Sequence, residues 1–294
     1  MKPRFGPAGN PQAFYDAGFQ SSVQMPAWLN DQQLGAYEYQ CGRGVNVSSA
    51  LAGKIGTAAV ESDILLSIHA PYYINLAGTD PVKRQKTIGY LLASLNIARE
   101  MGAKRVVFHP GSAIQAANRR DALAAASICL KQAIAEADEQ ELFESCYLCP
   151  EVMGKINQLG DLQEVITLCL LDDRLIPCID FGHLNARTNG GLATIEDYRT
   201  VFSSIFRQLG QERLSQLHIH FSRIEFTQGG EKKHHRLEDT QFGPEFNPLA
   251  SLMAELRIEP VVICESDGTQ AADAILMQDM YWNSLRLQAN PEGS

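Results

Sequence analysis

An alternation constrains this chain more than any single motif. Short apolar runs at residues 4–6, 36–40, 64–69, 105–109, 146–151, 175–180, 214–220 and 260–265 read as strands. Helical stretches lie between and after them, at 11–29, 48–61, 81–101, 118–142, 159–171, 194–209, 247–256 and 271–287. Asp80 before Pro81, and Thr194, are suited to start helices, while Gly102 and Gly210 stand where helices should stop. Strand and helix in strict alternation predict a (β/α)8 barrel, because parallel neighbours need helical crossovers and eight strands close the sheet. The rival is a doubly wound open sheet, which calls for a glycine-rich phosphate turn after the first strand. The residues there, Gly6-Pro7-Ala8-Gly9-Asn10, do not match that fingerprint. No low-complexity tract or Pro/Gly/Ser linker breaks the pattern, so residues 1–294 are expected to form one α/β barrel domain.

With 45% hydrophobic and 20% charged residues, the chain has the mass for a large core. No apolar run is long enough to span a bilayer, and the start Met1-Lys2-Pro3-Arg4 lacks a signal-peptide core. A cytoplasmic monomer without membrane contact is the expectation. The seven cysteines are odd in number and scattered through apolar runs, as buried thiols are. Cys146 and Cys149 have zinc-knuckle spacing, but in a strand residues three apart point to opposite faces. A net charge of −9 argues against non-specific coating of nucleic acid, which depends on neutralising phosphates. It leaves room for a local groove whose sign bound cations would reverse.

The histidines carry the chemistry. His69, His109, His218 and His220 fall at or near the C-terminal ends of predicted strands, and His183 follows one by three residues. His234 and His235 lie in the loop after the seventh strand, with one of them expected to be a surface residue. None is in a predicted helix. Three carboxylates join them: Glu151, Asp180 and Glu265 each end a strongly apolar run, where an unpaired charge is costly to bury. A lone strand-end histidine is usually just a satisfied polar residue, and a lone strand-end Asp or Glu often caps a helix. Here all of them converge on the one barrel face where catalytic groups gather. Histidine nitrogens with carboxylate oxygens and few thiols suit zinc, with manganese or iron as alternatives, rather than calcium.

Ordered motifs then carry a resemblance. They are His69-Ala70-Pro71-Tyr72-Tyr73-Ile74-Asn75-Leu76-Ala77, Phe108-His109-Pro110-Gly111-Ser112, Pro150-Glu151, Cys178-Ile179-Asp180-Phe181-Gly182-His183, Leu217-His218, the His234-His235 loop and Ile263-Cys264-Glu265. The chain resembles a divergent member of the endonuclease IV family, the metal-dependent apurinic/apyrimidinic DNA endonucleases among the xylose isomerase-like barrels. That resemblance implies a site for two or three divalent metals. His69, His109 and Glu151 would hold the first. Glu151 would bridge to a second, completed by Asp180, His218 and Glu265. His183 and His234 would hold a third. The family's remaining ligand is an aspartate two residues before the last histidine; Lys232 stands there, and Glu231 is the nearest carboxylate. His220 is a further candidate, since residues two apart in a strand share a face. Tyr72 matches a tyrosine the family uses on DNA. The loop after the second strand, Gln40 to Asn46, offers Arg43 but no aromatic wedge.

The resemblance further implies cleavage of DNA 5′ to abasic sites, as in base excision repair. Two cations bridged by Glu151 would generate hydroxide near neutral pH, with Glu265 as a ligand and water-orienting group. Arg223 and the run Lys232-Lys233-His234-His235-Arg236 could track a phosphate backbone, or could be solvated loop charge. The alternative is a sugar isomerase or epimerase acting on a small carbohydrate. It would need fewer ligands, few rim cations and a closed pocket.

Overall fold

The computed structural model describes residues 2–143 and 146–289. Among them, strand and helix alternate around two four-stranded parallel arcs. One arc is β2 (Ala36–Gln40), β3 (Leu65–His69), β4 (Arg105–Phe108) and β5 (Tyr147–Pro150), in that order. The other runs from β6 (Cys178–Asp180) through β7 (His218–Phe221) and β10 (Val261–Cys264) to β1 (Arg4–Pro7). Isolated parallel bridges join the arcs, Ala8 to Glu38 on one side, Leu148 to Leu175 and Glu151 to Cys178 on the other. These bridges close the sheet, and the fold is a (β/α)8 barrel.

The helical layer is α1 (Gln12–Asp16), α2 (Met25–Asp31), α3 (Ser49–Glu61), α4 (Pro81–Met101), α5 (Arg119–Glu139), α6 (Leu162–Cys169), α7 (Phe181–Arg187), α8 (Ile195–Ser215), α9 (Phe246–Leu256) and α10 (Gln270–Ala289). Asp80 caps α4 by accepting from the backbone N–H groups of Val82 and Lys83, and Gly102 ends it in the left-handed region at φ 67°. Thr194 and Asp197 form a capping box on α8. A single α-helix over 11–29 does not form. The chain turns at Gly18 (φ 89°) and makes two short helices with a 3-10 turn at Ser22–Gln24 between them. Gly210 kinks α8 at φ 84° instead of ending it, so Leu214 is helical and β7 starts only at His218.

Three elements have no counterpart in the sequence pattern. Helix α7 follows β6 directly, and an antiparallel hairpin, β8 (Arg223–Thr227) with β9 (Gly230–His235), follows β7. Most apolar burial lies between strands and helices, around Phe5, Phe14, Tyr37, Phe108, Phe181 and Phe221. Inside the barrel the apolar groups are smaller: Val107, Cys149, Ile176 and Cys178 in one cluster, Ala36, Val261 and Ile263 in another. All seven cysteines are free and buried. Among the described residues no helix is long and apolar enough to cross a membrane.

Candidate metal centre

Strand register sets the height of each inward side chain. Cys178, His218 and Val261 are paired at one level; Asp180, His220 and Ile263 are paired at the next, nearer the C-terminal rim. At that rim β3 ends in His69, β4 is followed by His109, β5 by Glu151 and β10 by Glu265. Glu151 is held by its backbone N–H on the carbonyl of Phe108 (3.0 Å) and is 1% exposed.

The two oxygens of Glu151 face different partners. Oε2 lies 3.2 Å from His69 Nε2 and 3.1 Å from His109 Nε2. Oε1 lies 3.3 Å from His220 Nδ1 and 3.3 Å from His183 Nδ1. His220 Nδ1 is also 3.5 Å from Glu265 Oε1. Ligand atoms of His69, His109 and Glu151 lie close enough together to hold one cation, and those of Glu151, Asp180, His220 and Glu265 another. Glu151 belongs to both groups, the disposition of a bridging carboxylate. The histidines are also oriented: His69 Nδ1 donates to the carbonyl of Ala70 at 2.9 Å, turning Nε2 toward Glu151.

A third group forms on α7 and the hairpin. Asp180 caps α7 through the backbone N–H of His183 (2.6 Å), which aims that imidazole back at the site. His183 Nδ1 donates to the carbonyl of Val152, and its Nε2 lies 3.3 Å from Glu231 Oε2. The His234 ring centroid is 5.3 Å from that of His183, and Ser222 Oγ sits 2.8 Å from His234 Nδ1. Glu231 and His234 are three apart, which in a regular strand puts them on opposite faces. A bulge resolves this. Glu225 pairs with Lys233 and Phe226 with Glu231, so Lys232 is an extra residue and the two potential ligands share a face. Lys232 itself points to Glu225. Two glycines let the hairpin lie this close: a Cβ at Gly154 would meet Glu231 Oε2 at 2.5 Å, and one at Gly230 would meet the Gly154 carbonyl at 2.2 Å.

The electrostatics fit cations. Asp180 Oδ2 and Glu231 Oε2 are buried without a hydrogen bond, since their contacts to His183 supply charge but not donor geometry. Burial opposes ionisation of Glu151, yet His109 and His220 hold its carboxyl well below the usual range. Burial likewise opposes a charge on His69, but its hydrogen bond to Glu151 and the charges of Glu151 and Glu38 raise it to about 9. Burial, with the nearby Asp180 and Glu151 charges, lifts Glu265 to about 8. Carboxylates packed this tightly need positive charge, supplied either by protons on the histidines or by divalent cations.

The structure corrects the sequence reading at several residues. His218 is not in the rim group. One level deeper, it is fully buried, with Nε2 3.0 Å from Glu38 Oε2, and His220 occupies the position facing Glu151. Of the last pair, His235 is apart from the centre, stacked on Phe242 and bonded to Asp239. Arg223 tracks no backbone: it is buried, donating to the carbonyls of Leu237 and Phe242 and to Glu245. The other hairpin cations are paired, Lys233 with Asp267 and Arg236 with Glu238. Tyr72 and Arg43 do stand exposed on one rim, where the backbone N–H of Tyr72 bonds the Gly42 carbonyl at 3.2 Å. Glu38 was missed. The signal was there, a carboxylate in mid-strand with the parity of inward-facing Ala36.

A cavity of about 500 Å3 opens beside the centre, lined by Gln40, Lys233, His234, Glu265, Ser266 and Gln270 among others. A family model described as the xylose isomerase-like TIM barrel matches residues 14–282. The chain belongs to that family. Within it, the chain is a divergent relative of the endonuclease IV proteins. A Methanocaldococcus jannaschii protein of uncharacterised function is 29% identical over 94% of this chain and 96% of its own length. A Mycoplasma pneumoniae protein named "probable endonuclease 4" is 31% identical over 67% of this chain and 65% of its own length. The endonuclease IV structure from Thermus thermophilus superposes with a TM-score of 0.69 at 20% identity, over 97% of this chain and 99% of its own. An L-ribulose 3-epimerase gives 0.68 at 13% identity, over 99% of this chain and 98% of its own. Such structural likeness shows the fold alone.

Proposed function

We propose that this protein is a metal-dependent phosphodiesterase of the endonuclease IV type, cleaving DNA 5′ to abasic sites. The observation that carries the reading is Glu151, whose two oxygens address two separate ligand groups, with a third group at His183, Glu231 and His234. A single-cation isomerase has no need of so many ligands. His69, His109 and Glu151 would hold one divalent cation, zinc by donor type. Glu151, Asp180, His220 and Glu265 would hold the second, and His183, Glu231 and His234 the third. Cations bound there supply Lewis acidity toward a phosphoryl group, an acidified water, and positive charge for a departing alkoxide.

The chain's own residues do the rest. Glu265 is the one carboxylate of the paired groups that also lines the cavity, and held ionised by a bound cation it would orient an attacking water and accept its proton. Tyr72 and Arg43 on the rim would seat the damaged strand, the tyrosine by stacking and the arginine by a phosphate contact. Their exposure suits this role. The second reading is an epimerase or isomerase of a small carbohydrate. It is favoured by the paired hairpin cations and by the polar cavity at Glu265.

One experiment separates the two. Bound metal per chain is measured, and the protein is incubated with duplex DNA carrying one abasic site, with and without chelator. Two or three metals with chelator-sensitive nicking support the nuclease. One metal, intact DNA at high enzyme and turnover of a ketose would establish the rival.

A further inference from the structure

The third ligand group is split between two elements, with His183 on α7 and Glu231 and His234 on the β8–β9 hairpin. Its spacing depends on the chain that lies between them, the segment that leaves the rim after Glu151. On one side His183 Nδ1 meets the Val152 carbonyl at 3.1 Å. On the other, the Gly154 carbonyl accepts from the backbone N–H of Glu231 at 3.4 Å, and the Ile156 N–H donates to the Gly229 carbonyl at 3.2 Å. Residues 152–157 form neither helix nor strand, so their carbonyls need partners from elsewhere.

Arg187 supplies them. It follows His183 by four residues, on the same side of α7. Its Nη1 donates to the carbonyls of Met153 at 2.9 Å and Lys155 at 2.8 Å, and its Nη2 to those of Ile156 at 3.4 Å and Gln158 at 3.2 Å. Met153 and Lys155 flank Gly154. With their carbonyls drawn to α7, the carbonyl between them is left to face the hairpin. Among the described residues no other side chain bonds these two carbonyls, and no carboxylate contacts Arg187. Arg119, on α5, grips the same segment only farther along, at Ile156 and Gln158 (both 2.8 Å), and its charge is paired with Glu164 at 2.6 Å.

We propose that Arg187 is a positioning residue for the third metal, bracing residues 153–158 between α7 and the hairpin and so setting the distance from His183 to Glu231 and His234. One turn of α7 then carries both a ligand and the brace that brings its co-ligands up to it. An arginine suits the task because one planar fork can serve several carbonyls, which an ammonium cannot. Glu231 Oε2, buried without a hydrogen bond 3.3 Å from His183 Nε2, is the atom this spacing serves. The inference rests on the metal-centre reading above and adds to it a residue that touches neither metal nor substrate.

The test compares wild type, R187M and R119M for zinc per chain, for Zn2+ affinity by chelator competition, and for thermal unfolding of the metal-free form. R187M is expected to bind its weakest zinc roughly 10- to 100-fold less tightly and to keep the others, while R119M stays within about threefold of wild type throughout. Metal-free melting should fall at least as far in R119M, which also loses its ion pair to Glu164, so instability does not explain a loss confined to R187M. Equal weakening in both variants, or wild-type affinity in R187M, overturns the inference. If R187M does not fold, R187K is titrated in its place: a weakened third zinc supports the brace, and unchanged affinity overturns it. A wild-type chain that holds at most two zincs overturns the third ligand group and this inference together. Three zincs without nicking of abasic DNA would count against the nuclease and leave the role of Arg187 standing.

Discussion

Replacing Gly154 by alanine should remove one metal from the centre without unfolding the barrel. The added methyl would sit 2.5 Å from Glu231 Oε2, 2.6 Å from Glu231 Cβ and 3.1 Å from His183 Cδ2. Carbon atoms in ordinary contact stand about 3.5–4.0 Å apart, so Glu231 must retreat by about 1 Å. Its Cβ is tied to β9, so the hairpin moves with it. Metal–ligand distances tolerate only about 0.2 Å, so a shift several times larger should empty the His183–Glu231–His234 group. Overpacking of this kind costs about 1–3 kcal/mol. The assay is metal per chain by elemental analysis after dialysis against a weak chelator, alongside thermal unfolding. Gly53→Ala, where a Cβ meets nothing within 4 Å in the helix α3, is the control, expected to keep all metal and gain roughly 0.5–1 kcal/mol. If Gly154→Ala retains its full complement at unchanged affinity, the hairpin does not supply a ligand from Glu231.

Glu151→Gln should lose nicking activity and at least one metal together, because both ligand groups depend on that carboxylate; activity surviving the change would refute its bridging role. Stripped of metal by chelator, the protein should become less stable as pH rises from about 6.5 to 9. His69, raised to about 9, is stabilised while protonated and loses that as pH passes its folded value, and the neutral form of Glu265, raised to about 8, changes in the same direction. His218, lowered to about 4, is neutral throughout that window. A melting temperature that climbs between pH 6.5 and 9 in chelator would contradict this. Arg223→Ala should cost about 1–3 kcal/mol in urea unfolding by leaving the buried Leu237 carbonyl and the part-buried Phe242 carbonyl without their donor, and should not change the salt dependence of DNA binding. Tyr72→Ala should weaken cleavage of abasic DNA with metal content unchanged; loss of metal there would assign the tyrosine to the centre instead.

The barrel was legible because its signal is repeated: short apolar runs recur at regular intervals with helix-length stretches between them, and Asp80, Gly102 and Thr194 mark ends by local chemistry. Where a reading needed tertiary information it slipped. His218 and His220 share a face, and only the register with Cys178 and Asp180 tells which of them reaches the rim. Residues 230–235 carry no apolar alternation, so β9 left no strand signal, and its bulge at Lys232 is a property of pairing with β8. Arg223 looked like a solvated charge because the carbonyls it serves lie far along the chain, at Leu237 and Phe242. Helix α7 is too short for its period to stand out, although Asp180-Phe181-Gly182-His183 holds its cap.

The two arcs of the barrel meet at seams closed by isolated bridges, and one bridge joins Glu151 itself to Cys178. His69 and His109 belong to the first arc, Asp180, His220 and Glu265 to the second. Glu151 stands at the join, one oxygen turned to each side. Cations held by these groups would fasten the wall like a clasp, adding their binding free energy to its closure. Loading and zipping then become one event. A metal-free chain would fray first along the β5–β6 seam, where hydrogen exchange would detect it.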